Sequence, residues 1–548
     1  MFNLSDSKWI PVVLKDGGHR GRTELSLREA LVRSDRVLRF DLPLETMVPA
    51  LLRHLFLPVV MRAAGVPGDE SDWASRFEDG PVRSGLAAHV ERYLDDWHDR
   101  FDLFDPERPF AQIGVGRLPA EDRAEGLAKL VTTSATGNNV PLFTATVEGQ
   151  GHTMPPGEAA LWLVHTLCWD TGGPKPSPKD GVGAGPLGTL GVVIPEGRNL
   201  FETIMLNLPI LGGGLEPDDL PHWELPPRIY ERRVTTDLEP GHRVRLFTQL
   251  SRSIRLVPDD AHEPRSVVGA LVFPGIEYTA VPEYEPHTVW ARKGENEQVK
   301  FVPKRHPYEH GTWWGLQSLL ALPRRLAVPG NQNQDHDRIE RLARQLQTVA
   351  ELAKLHLPND FPLQVSVYGA KYTSPPGRCE GIIHDRIPVP VAALMTERDW
   401  PERNAIAVSA AQIHDMAEAL GRAWSHLRMA AGRGDNGRDA TGLDPIDLLL
   451  DRIDPLARRF LRALQTCLGD HQAVRSALWQ WERDLRDHTL EVFEELLAMV
   501  GPRAVAGRTV DYEGGTREYS AAGAEIAIWA AAKRHLPLQW EHPEGIST

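Results

Sequence analysis

Cysteine is scarce: Cys168, Cys379 and Cys467 are the three in 548 residues. An odd number, far apart, argues against a disulfide framework and a cysteine-based zinc site, and sets the expectation of a reducing, cytoplasmic setting. Each cysteine is read as a small core or near-core residue. Positive charge is short as well, with 61 Lys and Arg against 75 Asp and Glu, a formal net charge of -14. Affinity for nucleic acid comes largely from neutralising phosphates, so this balance weighs against a stand-alone nucleic-acid binder. It leaves room for a subunit that touches nucleic acid through local basic patches. No uninterrupted run of eighteen apolar residues occurs, so no membrane span is expected. The opening Met1-Phe2-Asn3-Leu4-Ser5-Asp6 lacks the basic-then-apolar pattern of a secretory signal.

The motifs of common catalysis are missing too. There is no phosphate loop ending in Gly-Lys-Ser/Thr and no Gly-x-Ser-x-Gly nucleophile turn. Gly183-Ala184-Gly185-Pro186-Leu187-Gly188 has the letters of a dinucleotide fingerprint. That motif needs a strand before it and a helix starting within it, whereas Pro186 sits inside and Val192-Val193-Ile194-Pro195 follows. His384-Asp385, His414-Asp415 and His306-Pro307-Tyr308-Glu309-His310 resemble metal-ligand pairs, but Pro307 opposes a His-Glu-x-x-His helix and chance pairs are expected among 21 histidines. No catalytic residue, metal ligand or cofactor is assigned.

The composition present, 41% hydrophobic and 25% charged, is that of a globular protein too long for one core. Residues 8–14 read as a strand with a turn at Asp16-Gly17-Gly18. Ser26 with Glu29 forms a capping-box start to a short helix. Apolar helices are expected over 44–64, with Pro49 in the first turn or at a kink, over 86–97 and over 156–169. Phe101 to Gln112 reads as an ordered, packed loop. Between 220 and 335 the pattern is strand-like, and Asp337 to Leu355 reads as a helix. After Trp400 four periodic apolar faces follow, centred on 406–427, 446–464, 474–500 and 521–535, the pattern of a four-helix bundle. The fold class is therefore α+β, with a large mixed N-terminal domain (1–400) and an all-α C-terminal bundle (401–548).

Two loops stand out between Thr136 and Leu208. Gly137-Asn138-Asn139-Val140-Pro141-Leu142-Phe143 is polar and turn-prone. Thr171-Gly172-Gly173-Pro174-Lys175 leaves the end of the 156–169 helix. Both carry little side-chain bulk, which suits close backbone approach to a ligand. Basic residues recur at Arg338, Arg341 and Arg344, and cluster at Arg452, Arg458, Arg459 and Arg462. Either group is an ordinary solvated helix face or a phosphate-contacting one.

Several segments, in order and spacing, resemble the CasA family, the large subunit of the type I-E CRISPR surveillance complex (Cascade). They are Phe2-Asn3-Leu4 with Trp9-Ile10-Pro11-Val12; Leu25 to Leu31; Arg108-Pro109-Phe110-Ala111-Gln112; Asn138-Asn139 with Leu142-Phe143; and Gly172-Gly173. The most specific is Gly197-x-Asn199-Leu200-Phe201-Glu202-Thr203 through Leu206-Asn207-Leu208. The resemblance implies a non-catalytic subunit that recognises the short protospacer-adjacent motif (PAM) in double-stranded DNA, helps begin unwinding and R-loop formation, and recruits the helicase–nuclease. Its implied partners are the other Cascade subunits, the guide RNA 5′ end and target DNA. It implies DNA contacts at Asn138, Asn139 and Val140, and at Thr171, Gly172, Gly173 and Lys175. Some members place a lysine finger where this chain reads Phe273-Pro274-Gly275-Ile276, and a glutamine wedge where it reads Tyr372-Thr373-Ser374-Pro375-Pro376. The candidate wedge is therefore Lys371, Tyr372, Ser374, Pro375 and Pro376, with Lys371 or Lys175 as substitutes for the lysine. Arg452, Arg458, Arg459 and Arg462 are candidate phosphate contacts. The alternative is a scaffold that docks partners without reading DNA.

Overall fold

The computed structural model describes residues 2–16, 18–118, 126–131, 152–174, 181–228, 234–293, 300–306, 339–341, 343–373, 379–394, 400–432, 444–512 and 515–541. These form two compact units, and the class is mixed α+β.

In the first unit, β1 (Ile10–Asp16) pairs antiparallel with β2 (His19–Leu25) and with β3 (Val37–Phe40), in the order β2-β1-β3. The capping box is present: the Ser26 hydroxyl accepts from Glu29 N at 3.1 Å, and Ser26 N donates to the Glu29 carboxylate at 3.0 Å. The apolar stretch at 44–64 becomes the Met47–Ala64 helix, with Pro49 in its first turn and a π-helical turn at Leu52–Phe56. This helix is long and apolar enough to cross a membrane, yet 78% of it is buried inside the fold. Its Arg53 guanidinium makes a bidentate pair with Glu285 at 2.5 and 2.8 Å and lies over the Phe247 ring. Residues 101–112 form the packed loop expected of them: the Phe101 and Phe110 rings stack at 5.5 Å, and Gln112 bridges Leu103 O and Leu256 N.

The Pro156–Trp169 helix is apolar all round, and Ala159 to Trp169 are all buried, as a helix without a solvent face must be. Beyond it lie the two-residue strands β4 (Gly173–Pro174) and β5 (Gly181–Val182), then β6 (Val192–Glu196), β7 (Val234–Thr236), β8 (Arg252–Pro258), β9 (Val267–Pro274) and β10 (Ile276–Tyr278). β11 (Trp290–Lys293), β12 (Lys300–Pro303) and β13 (Ile339–Arg341) make one small sheet. β14 (Gln364–Tyr372) and β15 (Cys379–Pro388) complete another in the order β15-β14-β6.

The Gly197–Leu208 motif proves to be an internal bracing device. Asn199 caps the Leu200–Asn207 helix by accepting from Glu202 N, and the buried Glu202 holds Arg198 N and Nε. Asn207 Nδ2 donates to Pro195 O, and His287 Nε2 meets Asn207 Oδ1 at 2.9 Å. Burial, with Arg53 beside it, holds the His287 imidazole well below its usual pKa, so it is neutral.

The second unit contains four long helices, Pro401–Ala430, Pro445–Gln465, His471–Val500 and Ala521–His535. The first packs against each of the other three. Asp444 and Asp470 cap the second and third, and Gly501 ends the third. Between the last two helices runs a hairpin absent from the sequence reading, β16 (Arg508–Tyr512) with β17 (Gly515–Tyr519).

One expectation is corrected. The helix expected from Asp337 starts at Arg344, because Ile339–Arg341 is strand and Ala343 has extended backbone. In the structure Leu357–Leu363 and the described chain from Ile387 group with the C-terminal helices. Val389 N donates to Leu363 O, and Gln465 Nε2 donates to Leu363 O and Val389 O, tying these segments to the second long helix.

Candidate nucleic-acid interface

The candidate loop at Thr171 leaves the C-terminus of the buried Pro156–Trp169 helix. It is a neck rather than an open loop. Gly173 and Pro174 pair antiparallel with Val182 and Gly181, so the chain goes out and returns as a narrow ribbon. Lys175 lies outside the described residues, as do Asn138, Asn139 and Val140.

Glycine is required twice at this neck. Gly172 is buried, and a Cβ on it would stand 2.9 Å from Val182 O. Gly173 has φ of 121°, a conformation that strains any residue with a side chain.

A buried arginine ties the two sides together. Arg252, at the start of β8, has a fully buried side chain. Its Nε donates to Asp170 Oδ2 at 2.6 Å on the outgoing side, and its Nη2 donates to Gly183 O at 2.7 Å on the returning side. Nη2 also reaches Thr171 O, and Nη1 reaches Ser251 O. Gly183 N donates in turn to Glu277 Oε1 at 2.7 Å, and Gly185 N to Asp170 O at 2.8 Å. The pairing gives a buried charge nearly all the partners it needs, and that makes the neck rigid.

The candidate wedge is rooted beside it. Tyr372 closes β14, and its hydroxyl donates to Trp169 O, the last carbonyl but one before the neck, at 2.7 Å. The ring rests on Gly188, where a Cβ would come within 2.5 Å of Tyr372 Oη. Burial raises the phenol's pKa well above its usual value, so it stays a donor. Tyr372 is thus an anchor at the end of β14. Lys371 is exposed next to it, with Nζ 3.8 Å from Glu380 Oε2. Ser374, Pro375 and Pro376 lie outside the described residues.

The segment read as lacking a lysine finger packs underneath. Phe273 is buried, and a Cβ on Gly275 would stand 2.4 Å from Arg252 N and Leu250 O. Three segments about 100 residues apart in sequence therefore meet at one end of one helix. The family resemblance named all three, and the sequence reading missed their fasteners, Asp170, Arg252 and Glu277.

The arginines of the helical unit are differently placed. Arg452 pairs with Glu491 at 3.5 Å and Glu495 at 2.6 Å, Arg458 with Asp454 at 2.8 Å, and Arg459 with Asp484 at 2.5 Å. Arg462 is exposed and carries no ion pair among the described residues. Three of the four thus spend their charge on neighbouring carboxylates. Of the other basic trio, Arg344 is exposed at a helix start, Arg341 is in β13 and Arg338 is outside the described residues.

The histidine pairs have protein partners where they are described, and Pro307 to His310 lie outside the described residues. His306 is half-buried with Nε2 3.1 Å from Val192 O, and desolvation lowers its pKa to about 4. His384 stacks on Tyr368, and Asp415 meets His535 at 3.0 Å. Among the described residues no three His, Cys, Asp or Glu side chains are grouped to hold a metal ion. Cys168 is buried, which pushes its thiol up to about 12.

The family model for CRISPR-associated protein Cse1 matches residues 3–492. The chain belongs to the Cse1 family. Within it, the CRISPR-associated protein CasA/Cse1 of Thermus thermophilus is 34% identical over 268 residues. That stretch is 47% of this chain and 49% of the relative, so the alignment spans about half of that protein. The crystal structure of Thermobifida fusca Cse1 superposes with a TM-score of 0.80 at 26% identity, covering 98% of each chain. A chain of a CRISPR RNA-guided surveillance complex shares the fold, with a TM-score of 0.61, 19% identity, and coverage of 91% of this chain and 99% of that one.

Proposed function

We propose that this Cse1-family chain is the large, non-catalytic subunit of an RNA-guided surveillance complex of type I-E, acting in the cytoplasm on double-stranded DNA. Its first unit recognises the PAM and helps begin unwinding, and the assembled complex then recruits a helicase–nuclease. Its partners are the other Cascade subunits, the guide RNA 5′ end and the target duplex.

The observation that carries this reading is the hydrogen bond between Tyr372 and Trp169, which roots the glycine neck and the candidate wedge side by side. A reader and a separator must act on adjacent base pairs, and a shared root supplies that adjacency. The neck's Thr171, Gly172 and Gly173 offer backbone with little side-chain bulk. The minor groove presents a degenerate pattern, acceptors plus the guanine amino group, which such a ribbon reads loosely. Loose reading suffices where guide pairing supplies the remaining specificity. Lys175, Asn138, Asn139 and Val140 are proposed as further DNA contacts, and Ser374, Pro375 and Pro376 as the wedge residues, since proline can enter a base step.

The ion-paired arginines favour the scaffold reading for the second unit, proposed here as the family's four-helix bundle. Arg452, Arg458 and Arg459 already have carboxylate partners, so this face suits docking of protein subunits better than phosphate. The test is omission: the complex assembled without this chain should lose PAM-dependent duplex binding, and unchanged binding would contradict the proposal.

A further inference from the structure

The N-terminal sheet carries a feature that the PAM-reading site does not use. Every residue of β2 from His19 to Glu24 is exposed, and the register fixes which side chains share a face. Arg22 lies opposite Val13, which lies opposite Arg39 on β3, and Arg20 lies directly opposite Lys15. Side chains alternate along a strand, so Val13 and Lys15 share a face, as do Arg20 and Arg22. The result is a patch of four cations, Lys15, Arg20, Arg22 and Arg39, in two rows roughly 7 Å apart along the strands.

The arrangement is unfavourable in isolation. Like charges directly opposite one another destabilise a sheet, and neither Lys15 nor Arg20 has an ion pair among the described residues. Arg22 and Arg39 share one acid, Asp41, at 3.0 and 3.9 Å, and both are largely exposed. Glu24 and Asp41 are the acids at the other end of this face. From Lys15 to Arg39 the chain has seven Lys and Arg against four Asp and Glu, in a protein where acids outnumber bases.

We infer that this sheet face, Lys15, Arg20, Arg22 and Arg39, is a docking surface for the phosphate backbone of duplex DNA. It would position DNA without reading its sequence. An extended, regularly spaced row of cations matches a polyanion with regularly spaced charge, and phosphate contacts set register while base contacts set specificity. The choice of duplex DNA rests on the function proposed above.

The test uses the assembled complex with Lys15→Gln, Arg20→Gln and Arg22→Gln combined, and with His19→Gln as a control on the opposite face. Duplex affinity is measured against salt, with and without a PAM. Loss of three phosphate contacts should lower the slope of log K against log salt by roughly 2–3. Both duplexes should weaken by the same factor, leaving the PAM preference intact, and His19→Gln should change neither. An unchanged slope would overturn the inference and leave the face as a guarded strand edge only. Failure of the complex to assemble would also overturn it, assigning the face to a protein subunit. Absence of PAM preference in the unmodified complex would instead refute the PAM-reading function, independently of the slope.

Discussion

The Tyr372 hydroxyl donates to the Trp169 carbonyl at 2.7 Å, joining positions 203 residues apart. This bond brings the end of β14 to the end of the central buried helix and sets the spacing between two loops of the proposed DNA-reading surface. Tyr372→Phe removes the donor and leaves the ring in place. It should cost about 1 kcal/mol, read by denaturant unfolding, and lower the PAM preference several-fold while the complex still assembles.

The Arg252–Asp170 pair should be far less tolerant. Arg252→Met strands the Asp170 carboxylate, which is 6% exposed. Removing one partner of a buried pair costs roughly 3–5 kcal/mol. Replacing both by apolar residues, as in Arg252→Met with Asp170→Leu, should recover much of that loss. A double-mutant cycle from unfolding curves measures the coupling.

Gly172→Ala places a Cβ 2.9 Å from Val182 O, so the ribbon must part. The variant should assemble normally and lose duplex affinity by on the order of tenfold or more, since about 1.4 kcal/mol is a factor of ten. Gly213→Ala meets nothing within 4 Å and serves as the silent control.

The helical unit should respond to pH through Glu482. This carboxylate is buried, accepts from Gln412 Nε2 at 2.6 Å and from Leu538 N at 2.8 Å, and burial raises its pKa to about 7. The folded state holds the proton more tightly than the unfolded chain does. Stability contributed by the protonated form is full below pH 4.5 and is lost as pH rises through 7, by about 3 kcal/mol at most. Hydrogen exchange in 471–500 should show that loss in the parent protein, and Glu482→Gln should flatten it. The buried histidines of the first unit act in the opposite sense. His165, with its pKa lowered to about 3 by burial, stays neutral in the fold, so its stability term is lost as pH falls below 6.5.

Local signals were legible in the chain and distant ones were not. Ser26 with Glu29, the apolar run 156–169 and the four periodic C-terminal faces each specify structure within a few turns, and each forms where expected. The false helix start near 337 arose because Ile339, Leu342 and Leu346 satisfy a 3.6-residue period by chance across a strand–helix junction. The Arg252 clamp was invisible because its partners stand 82 and 69 residues away, and no local pattern encodes a non-local ion pair. The same holds for Tyr372: the family resemblance put it in the candidate wedge, and only its bond to Trp169, 203 residues away, makes it an anchor.

The central claim is that the neck at Thr171–Gly173 reads the PAM through the minor groove. The direct measurement is duplex affinity of the complex with PAM base pairs altered one groove at a time. Replacing guanine by inosine removes the minor-groove amino group, and replacing cytosine by 5-methylcytosine adds bulk only in the major groove. The account predicts that the inosine change alters affinity and the methyl change does not. Sensitivity to the major-groove methyl, with indifference to inosine, would contradict it.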